Sequence, residues 1–130
     1  MALRWLCALQ GIAILLVVPA LSHAQCPGVT VPQSPFAAET LTISTTATPL
    51  TATIYKPTGI TPTMAMVSVE GGAIRYQVIG VPTATDGHPL AGSPAQTFTI
   101  CGLDAITNFR AIRQTTDAIL FVSYYKNKTP

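Results

Sequence analysis

Hydroxyl and aliphatic side chains alternate along much of this chain, and that period of two limits what it can fold into. Leu41 and Ile43 alternate with threonine and serine, and Phe98 and Ile100 alternate with threonine. Because successive side chains of a strand point to opposite faces, the alternation predicts strands with one buried face. We therefore predict an all-β fold, a single β-sandwich or jelly-roll domain of about seven strands. Further strands are expected at 50–55, 64–70, 73–79, 109–113 and 118–125.

Glycine and proline separate these segments. Gly71-Gly72 stands between two predicted strands, which indicates a tight hairpin or a glycine bulge. Segment 80–94 is rich in turn residues and predicts a long connection. Residues 105–108 allow one helical turn, and no helical period lasts longer anywhere after the first 24 residues.

The first 24 residues have the three parts of a secretory signal. Arg4 gives a positive charge, the largely apolar stretch 5–18 follows, and Pro19 ends it. Small residues precede Gln25, so we predict cleavage after Ala24. The alternative is a retained membrane anchor, but a spanning helix needs about 20 apolar residues and this stretch is shorter. The sequence thus predicts a secreted, extracellular protein.

Removing this leader changes what the composition implies. Without Arg4 the chain keeps six of its seven lysines and arginines against five acidic residues, a net charge of +1 (six minus five). That charge is too small for a nucleic-acid-binding surface. The mean hydropathy of +0.44 is raised by the leader, so no membrane association is expected after cleavage. About a hundred residues supply one core. We divide the chain into a signal peptide (1–24), an extended proline-rich N-terminal arm (25–35) and one β-domain (36–130).

Two cysteines remain after the leader is removed. Cys7 lies in the leader, which leaves Cys26 and Cys101. In an oxidising compartment such a pair most often forms a disulfide, which here would fasten the N-terminal arm to a late strand. Two free thiols, or bridges between subunits, are the alternatives.

The mature chain has no catalytic, cofactor or metal signature. Its one histidine, His88, lies in a turn sequence, which favours an exposed loop residue over a general base. The acidic residues, Glu70 among them, are isolated rather than paired as glycoside hydrolysis requires. Two cysteines and one histidine do not form a ligand spacing for a metal. We predict a protein without enzymatic activity, cofactor or metal.

Two features point towards glycans. Tyr124 and Tyr125 are adjacent on a predicted strand, so one of the two rings must face outward, where it would suit contact with a ligand such as a sugar. Asn127-Lys128-Thr129 matches the N-glycosylation acceptor pattern. Threonine-rich segments suit O-linked sugars, although threonine also simply suits solvent-facing strand positions.

Strand-and-turn motifs between residues 67 and 125 resemble those of a group of small, uncharacterised phage and prophage structural proteins. The motifs are Val69-Glu-Gly-Gly-Ala-Ile-Arg-Tyr76, the turns at 80–85 and 87–90, Phe-Arg-Ala-Ile at 109–112 and Leu-Phe-Val-Ser-Tyr-Tyr at 120–125. The resemblance implies a non-enzymatic virion surface or decoration component that self-associates or docks on a larger shell. A signal peptide and a disulfide are unusual in such proteins and suggest an exported cellular relative.

These observations give two expectations of function. The first is an extracellular structural subunit of a surface layer, fibre or virion decoration, which forms a homo-oligomer or polymer through its β-domain and N-terminal arm. The alternative is a secreted carbohydrate- or cell-surface-binding module. A secreted hydrolase is a weaker third reading, because no residue set can be nominated for it.

Overall fold

The computed structural model describes residues 26–129, so the predicted signal peptide lies outside the described residues. The described part contains eight strands and two short helices. They are β1 (Gln33–Ile43), β2 (Thr48–Pro49), α1 (Ala52–Tyr55), β3 (Met64–Gly71), β4 (Ile74–Gln77), β5 (His88–Leu90), β6 (Gln96–Cys101), α2 (Leu103–Asn108), β7 (Arg110–Arg113) and β8 (Ala118–Asn127). The prediction of an all-β chain is confirmed, and α2 includes the helical turn expected at 105–108.

The strands form two antiparallel sheets of four. Sheet I has the order β1-β8-β3-β6, and sheet II has the order β2-β7-β4-β5. The longest ladder joins β1 to β8, and its register shifts between Pro35 and Ala37. β1 begins at Gln33, so the last residues of the predicted N-terminal arm belong to sheet I. No helix among residues 26–129 has the length and apolar character needed to cross a membrane.

Both sheets contribute to one hydrophobic core. Alternate residues of β3 and β8 point into it, and Ile74 and Ala111 join it from sheet II. Burial of these side chains is the main term that holds the chain folded. The largest fully buried side chains include Tyr124, Phe109, Ile43, Ile74, Ile106 and Leu120.

The predicted hairpin at Gly71-Gly72 is wrong. β3 pairs with β6 and β8, whereas β4 pairs with β5 and β7, so the two glycines carry the chain from sheet I to sheet II. The crossing from β7 back to β8 lies directly beside this one, and the Gly72 N–H donates to the Asp117 carbonyl at 3.2 Å. Glycine is needed because the two crossings approach so closely that a side chain at position 72 would meet the Thr116 and Asp117 carbonyls.

The predicted strand at 50–55 is also wrong, because residues 52–55 form the single helical turn α1. The Thr51 carbonyl accepts hydrogen bonds from the backbone N–H groups of Ile54 and Tyr55, at 2.9 and 3.1 Å. In an extended strand, Leu50 and Tyr55 would point to opposite faces. The helical turn instead places both of them in the core, where their side chains are 4% and 5% exposed.

Candidate functional site

Cys26 and Cys101 form the disulfide that the sequence predicts, with their Cα atoms 5.5 Å apart. Cys101 ends β6, and Cys26 is buried. The bond lies within one chain and closes a separation of 75 residues. A disulfide is compatible with an extracellular protein.

This bond determines the path of the N-terminal arm. Residue 26 is attached to β6 and residue 33 begins β1, and these strands form the two opposite edges of sheet I. The residues between them therefore cross the ends of β3 and β8. The Pro32 carbonyl accepts a hydrogen bond from the Lys128 N–H at 2.8 Å. The arm is thus attached to its own chain at both ends.

The two candidate contact tyrosines have different environments. Tyr125 is half-buried, but Tyr124 is fully buried in the core, so its ring is not available to an external ligand. The Tyr124 ring lies 5.9 Å from that of Tyr55 and 6.4 Å from that of Phe36, between ring centroids. Of the predicted pair, only Tyr125 presents part of its ring to solvent.

The other residues selected from the sequence are dispersed. Asn127 is exposed at the end of β8, and its Oδ1 accepts a hydrogen bond from Gln33 Nε2 at 2.8 Å. His88 is exposed in β5 beside the Tyr76 ring, with centroids 5.4 Å apart, and Glu70 is exposed near the end of β3. Within residues 26–129, no group of three or more histidine, cysteine, aspartate and glutamate side chains is arranged to hold a metal ion.

Sheet I presents to solvent a nearly uncharged face with an apolar centre. We call this the outer face; it consists of every second residue of 38–42 in β1, 119–125 in β8, 64–70 in β3 and 97–101 in β6. Met66, Ile119 and Phe121 lie on it and are 38%, 42% and 41% exposed. Phe121 pairs with Ser68, so Ile119 is its neighbour along β8 and Met66 is a diagonal neighbour on β3. The three side chains thus form one cluster.

Charge is nearly absent from the outer face. Glu70, at one end, is its only ionisable carboxylate, and no lysine or arginine occupies an outer-face position. Threonine and serine supply most of the polar groups. A shallow depression of about 380 Å³ lies over the β1–β8 ladder and is lined by Ala38, Glu39, Thr40, Phe121, Val122 and Ser123. Such a face is suited to a partner that is itself nearly uncharged and offers apolar contacts at its centre.

The four edge strands differ in how they are protected from further pairing. β1 carries Pro35 and a bulge, β2 has only two residues and includes Pro49, and β5 has three residues and includes Pro89. Short length, proline and bulges are the usual devices that prevent one sheet edge from pairing with another. β6 has six residues without proline, charge or register shift. It is the unprotected edge of the described strands.

Sequence reasoning missed both the outer face and the β6 edge. A signal for the outer face was present, because β8 reads Ala-Ile-Leu-Phe-Val and is apolar on both faces rather than one. The β6 edge had no local signal, since strand order depends on pairing between distant segments. No protein-family model, curated protein or solved structure matches this chain.

Proposed function

We propose that this protein is an extracellular structural subunit that self-associates by pairing the β6 strands of two copies. The observation that carries the proposal is the unprotected edge at Gln96–Cys101. Every second residue of an edge strand directs its N–H and C=O away from the sheet, where they can pair with another strand. A second copy offers an identical edge, and antiparallel pairing across a two-fold axis lets each edge satisfy the other.

Surface chemistry supports a second copy as the partner. β6 carries threonine at positions 97 and 99 and no charge, so two copies meet without repulsion. The disulfide at the end of β6 supports an oxidising, extracellular setting. The resemblance to phage structural proteins is consistent with this, since it implies a component that self-associates or docks on a larger shell.

The N-terminal arm has a different role in this proposal. Because it is attached to β6 through Cys26 and to β8 through Pro32, it stabilises its own subunit rather than exchanging with a neighbour. Carbohydrate binding is the weaker alternative, since it relied on Tyr124 and Tyr125 and only the half-buried Tyr125 remains. One partly covered ring does not form a stacking platform.

We also propose that the two sheets are the layers of one β-sandwich. The shared cluster supports this, because residues of β3 and β8 in sheet I and of β4 and β7 in sheet II belong to it. Nuclear Overhauser contacts between the rings of Tyr76 in β4 and Phe98 in β6, whose centroids lie 4.5 Å apart, test the arrangement. Their absence in a fully assigned spectrum would contradict a sandwich.

Oligomeric state tests the proposed function. The full chain is expressed in a host that exports it, purified from the medium without reductant, and its mass is measured by sedimentation velocity over a wide concentration range. We expect multiples of the mature mass and an N-terminus at Gln25. The Thr97→Lys variant places a charge on the β6 edge. We expect its assemblies to contain fewer copies than those of the wild type, because like charges then meet across the paired strands.

A matched variant controls for the added charge. Thr61 is exposed in a loop outside the sheets, so Thr61→Lys adds the same charge without touching β6 and is expected to assemble as wild type. A wild-type chain that stays monomeric at high concentration would refute self-association. Equal behaviour of the two variants would show that β6 is not the edge involved.

A further inference from the structure

We infer that the outer face of sheet I is a second self-interface, at which two edge-paired dimers stack to give an assembly of four copies. This inference rests on the proposed pairing through β6. It names a surface that edge pairing does not use, since Phe121 lies on β8, two strands away from β6. The occupant of the face is thus another dimer of the same chain.

The composition of the central strands indicates that both of their faces are covered. Strands with one solvent-exposed face alternate apolar and polar residues, whereas strands covered on both faces consist of continuous apolar runs. β8 continues from Ala118 to Val122 without a polar residue, and β3 places Met64 and Met66 on the face opposite its buried residues. Within the described residues, Met66, Ile119 and Phe121 on the opposite face remain 38%, 42% and 41% exposed.

Charge placement on the outer face fits a copy of itself. Glu70 is its only carboxylate and lies at one end, six residues along β3 from Met64 at the other end. If the strands of the facing copy in the other dimer run in the reversed direction, the Glu70 carboxylates of these two copies lie roughly 20 Å apart at about 3.3 Å per residue. That separation exceeds the screening length of about 8 Å in physiological salt, so the carboxylates do not oppose stacking. The centre of the interface is then formed by the cluster around Phe121.

The area of the outer face explains why copies pair through β6 before they stack. Four strands about 4.8 Å apart, two contributing seven residues and two contributing five, give a footprint of roughly 400 Å² for one outer face. A stable interface buries about 800 Å² of accessible surface on each partner, so one face of this footprint makes a small interface. A two-fold axis perpendicular to sheet I keeps both outer faces on the same side of the combined eight-stranded sheet. Pairing through β6 therefore doubles this nearly uncharged surface and brings it to the size that a stable interface needs.

Sedimentation velocity of single variants separates the two interfaces. We expect four copies for the wild-type chain, two for Phe121→Lys and one for Thr97→Lys. Phe121→Lys blocks stacking but leaves the β6 edge intact, so pairs remain. Thr97 lies on the β6 edge and also on the outer face, so Thr97→Lys blocks both contacts and leaves single copies. Met66→Lys, on β3, is a second variant of the same face with the same expected result of two copies. Ile79 is 85% exposed outside the sheets, so Ile79→Lys is the matched control and keeps four copies.

Other results would contradict the inference, and each would point to a different cause. If Phe121→Lys and Met66→Lys still assemble as four copies while Thr97→Lys forms fewer, the outer face is not an interface. The proposed function would then be unaffected. A lowered unfolding midpoint of both face variants without a change in mass would show that the face is covered by its own chain. A monomeric wild type would defeat the proposed function itself.

Discussion

The Tyr124 hydroxyl donates a hydrogen bond to Oε1 of Glu39, which joins two residues that are 85 positions apart in the sequence. They lie on neighbouring strands of sheet I, where Tyr124 belongs to β8 and Glu39 to β1. The same Oε1 accepts the Thr51 N–H at 3.1 Å, while Oε2 is buried with no hydrogen-bond partner among the described residues. A carboxylate at the margin of the core therefore depends on two donors.

Loss of the Tyr124 hydroxyl should destabilise the fold. Tyr124→Phe keeps the ring in the core but removes one donor from a carboxylate that already lacks a partner for Oε2. Leaving a buried polar group unsatisfied costs about 1–3 kcal/mol, so we expect the free energy of unfolding to fall by that amount in urea titrations. Tyr125→Phe, at the half-buried neighbour, should change it by less than about 0.5 kcal/mol. Equal losses in the two variants would contradict the role of the hydrogen bond.

Alkaline pH should weaken the fold through the same residue. Burial, and then the hydrogen bond and negative charge of Glu39, raise the pKa of Tyr124 far above its ordinary value. An unfolded chain releases this proton near pH 10, whereas the folded chain keeps it. Above about pH 10 the folded state therefore binds more protons, and the free energy of unfolding falls as the pH rises. Below that pH the contribution is fully present.

Tyr124→Phe isolates this effect. The variant lacks the shifted group, so between about pH 10 and 12 its free energy of unfolding should decline less steeply than that of wild type, by about 1.4 kcal/mol per pH unit. The other tyrosines are common to both proteins and cancel in the comparison. Parallel pH profiles from urea titrations would contradict the prediction.

Local patterns predicted the strands better than their partners. The period of two located β6 and β8 because it reflects which side chains of one strand are buried. It carries no information about which strand lies alongside, so Gly71-Gly72 was expected to close a hairpin when it connects two sheets. The prediction of a strand at 50–55 was wrong for a related reason. Its alternation matches a strand, but Leu50 and Tyr55 both belong to the core, which a strand could not place on one face.

The candidate site was predictable in part. Cys26 and Cys101 were the only cysteines left after the leader, so counting identified the pair. Tyr124 shares its face of β8 with Leu120 and Val122, which indicates that Tyr124 is buried. The other face of β8 is apolar too, so the sequence did not show which of Tyr124 and Tyr125 faces outward. The unprotected edge at β6 depends on strand order, which arises only when distant segments pair.

Removal of the disulfide should release the N-terminal arm and lower stability. A bond that closes a separation of 75 residues contributes about 4 kcal/mol through the entropy of the unfolded chain. We expect Cys26→Ser/Cys101→Ser to lose an amount of that order in urea titrations. The Lys128 amide, bonded to the Pro32 carbonyl, should also exchange its proton with solvent faster. Unchanged exchange at Lys128 would show that the arm holds its position without the bond.

A methyl group at position 72 should lower the free energy of unfolding more than a methyl group at a glycine with free space around it. A Cβ there would lie 2.7 Å from Thr116 Oγ1, 2.8 Å from the Asp117 carbonyl and closer still to the Thr116 carbonyl. Backbone carbonyls cannot rotate away, so the two crossings between the sheets must separate. Overpacking costs about 1–3 kcal/mol, and we expect Gly72→Ala to lose about 3 kcal/mol in urea titrations.

Gly59 is the matched control for that substitution. A Cβ at Gly59 meets nothing within 4 Å, but its φ of +79° disfavours a side chain. Gly59→Ala should therefore lose about 1–2 kcal/mol through backbone strain alone. The larger loss at position 72 measures the close approach of the two crossings. If Gly72→Ala were as stable as Gly59→Ala, the crossings would have room to separate, and the hydrogen bond from the Gly72 N–H to Asp117 would contribute little to holding the sheets together.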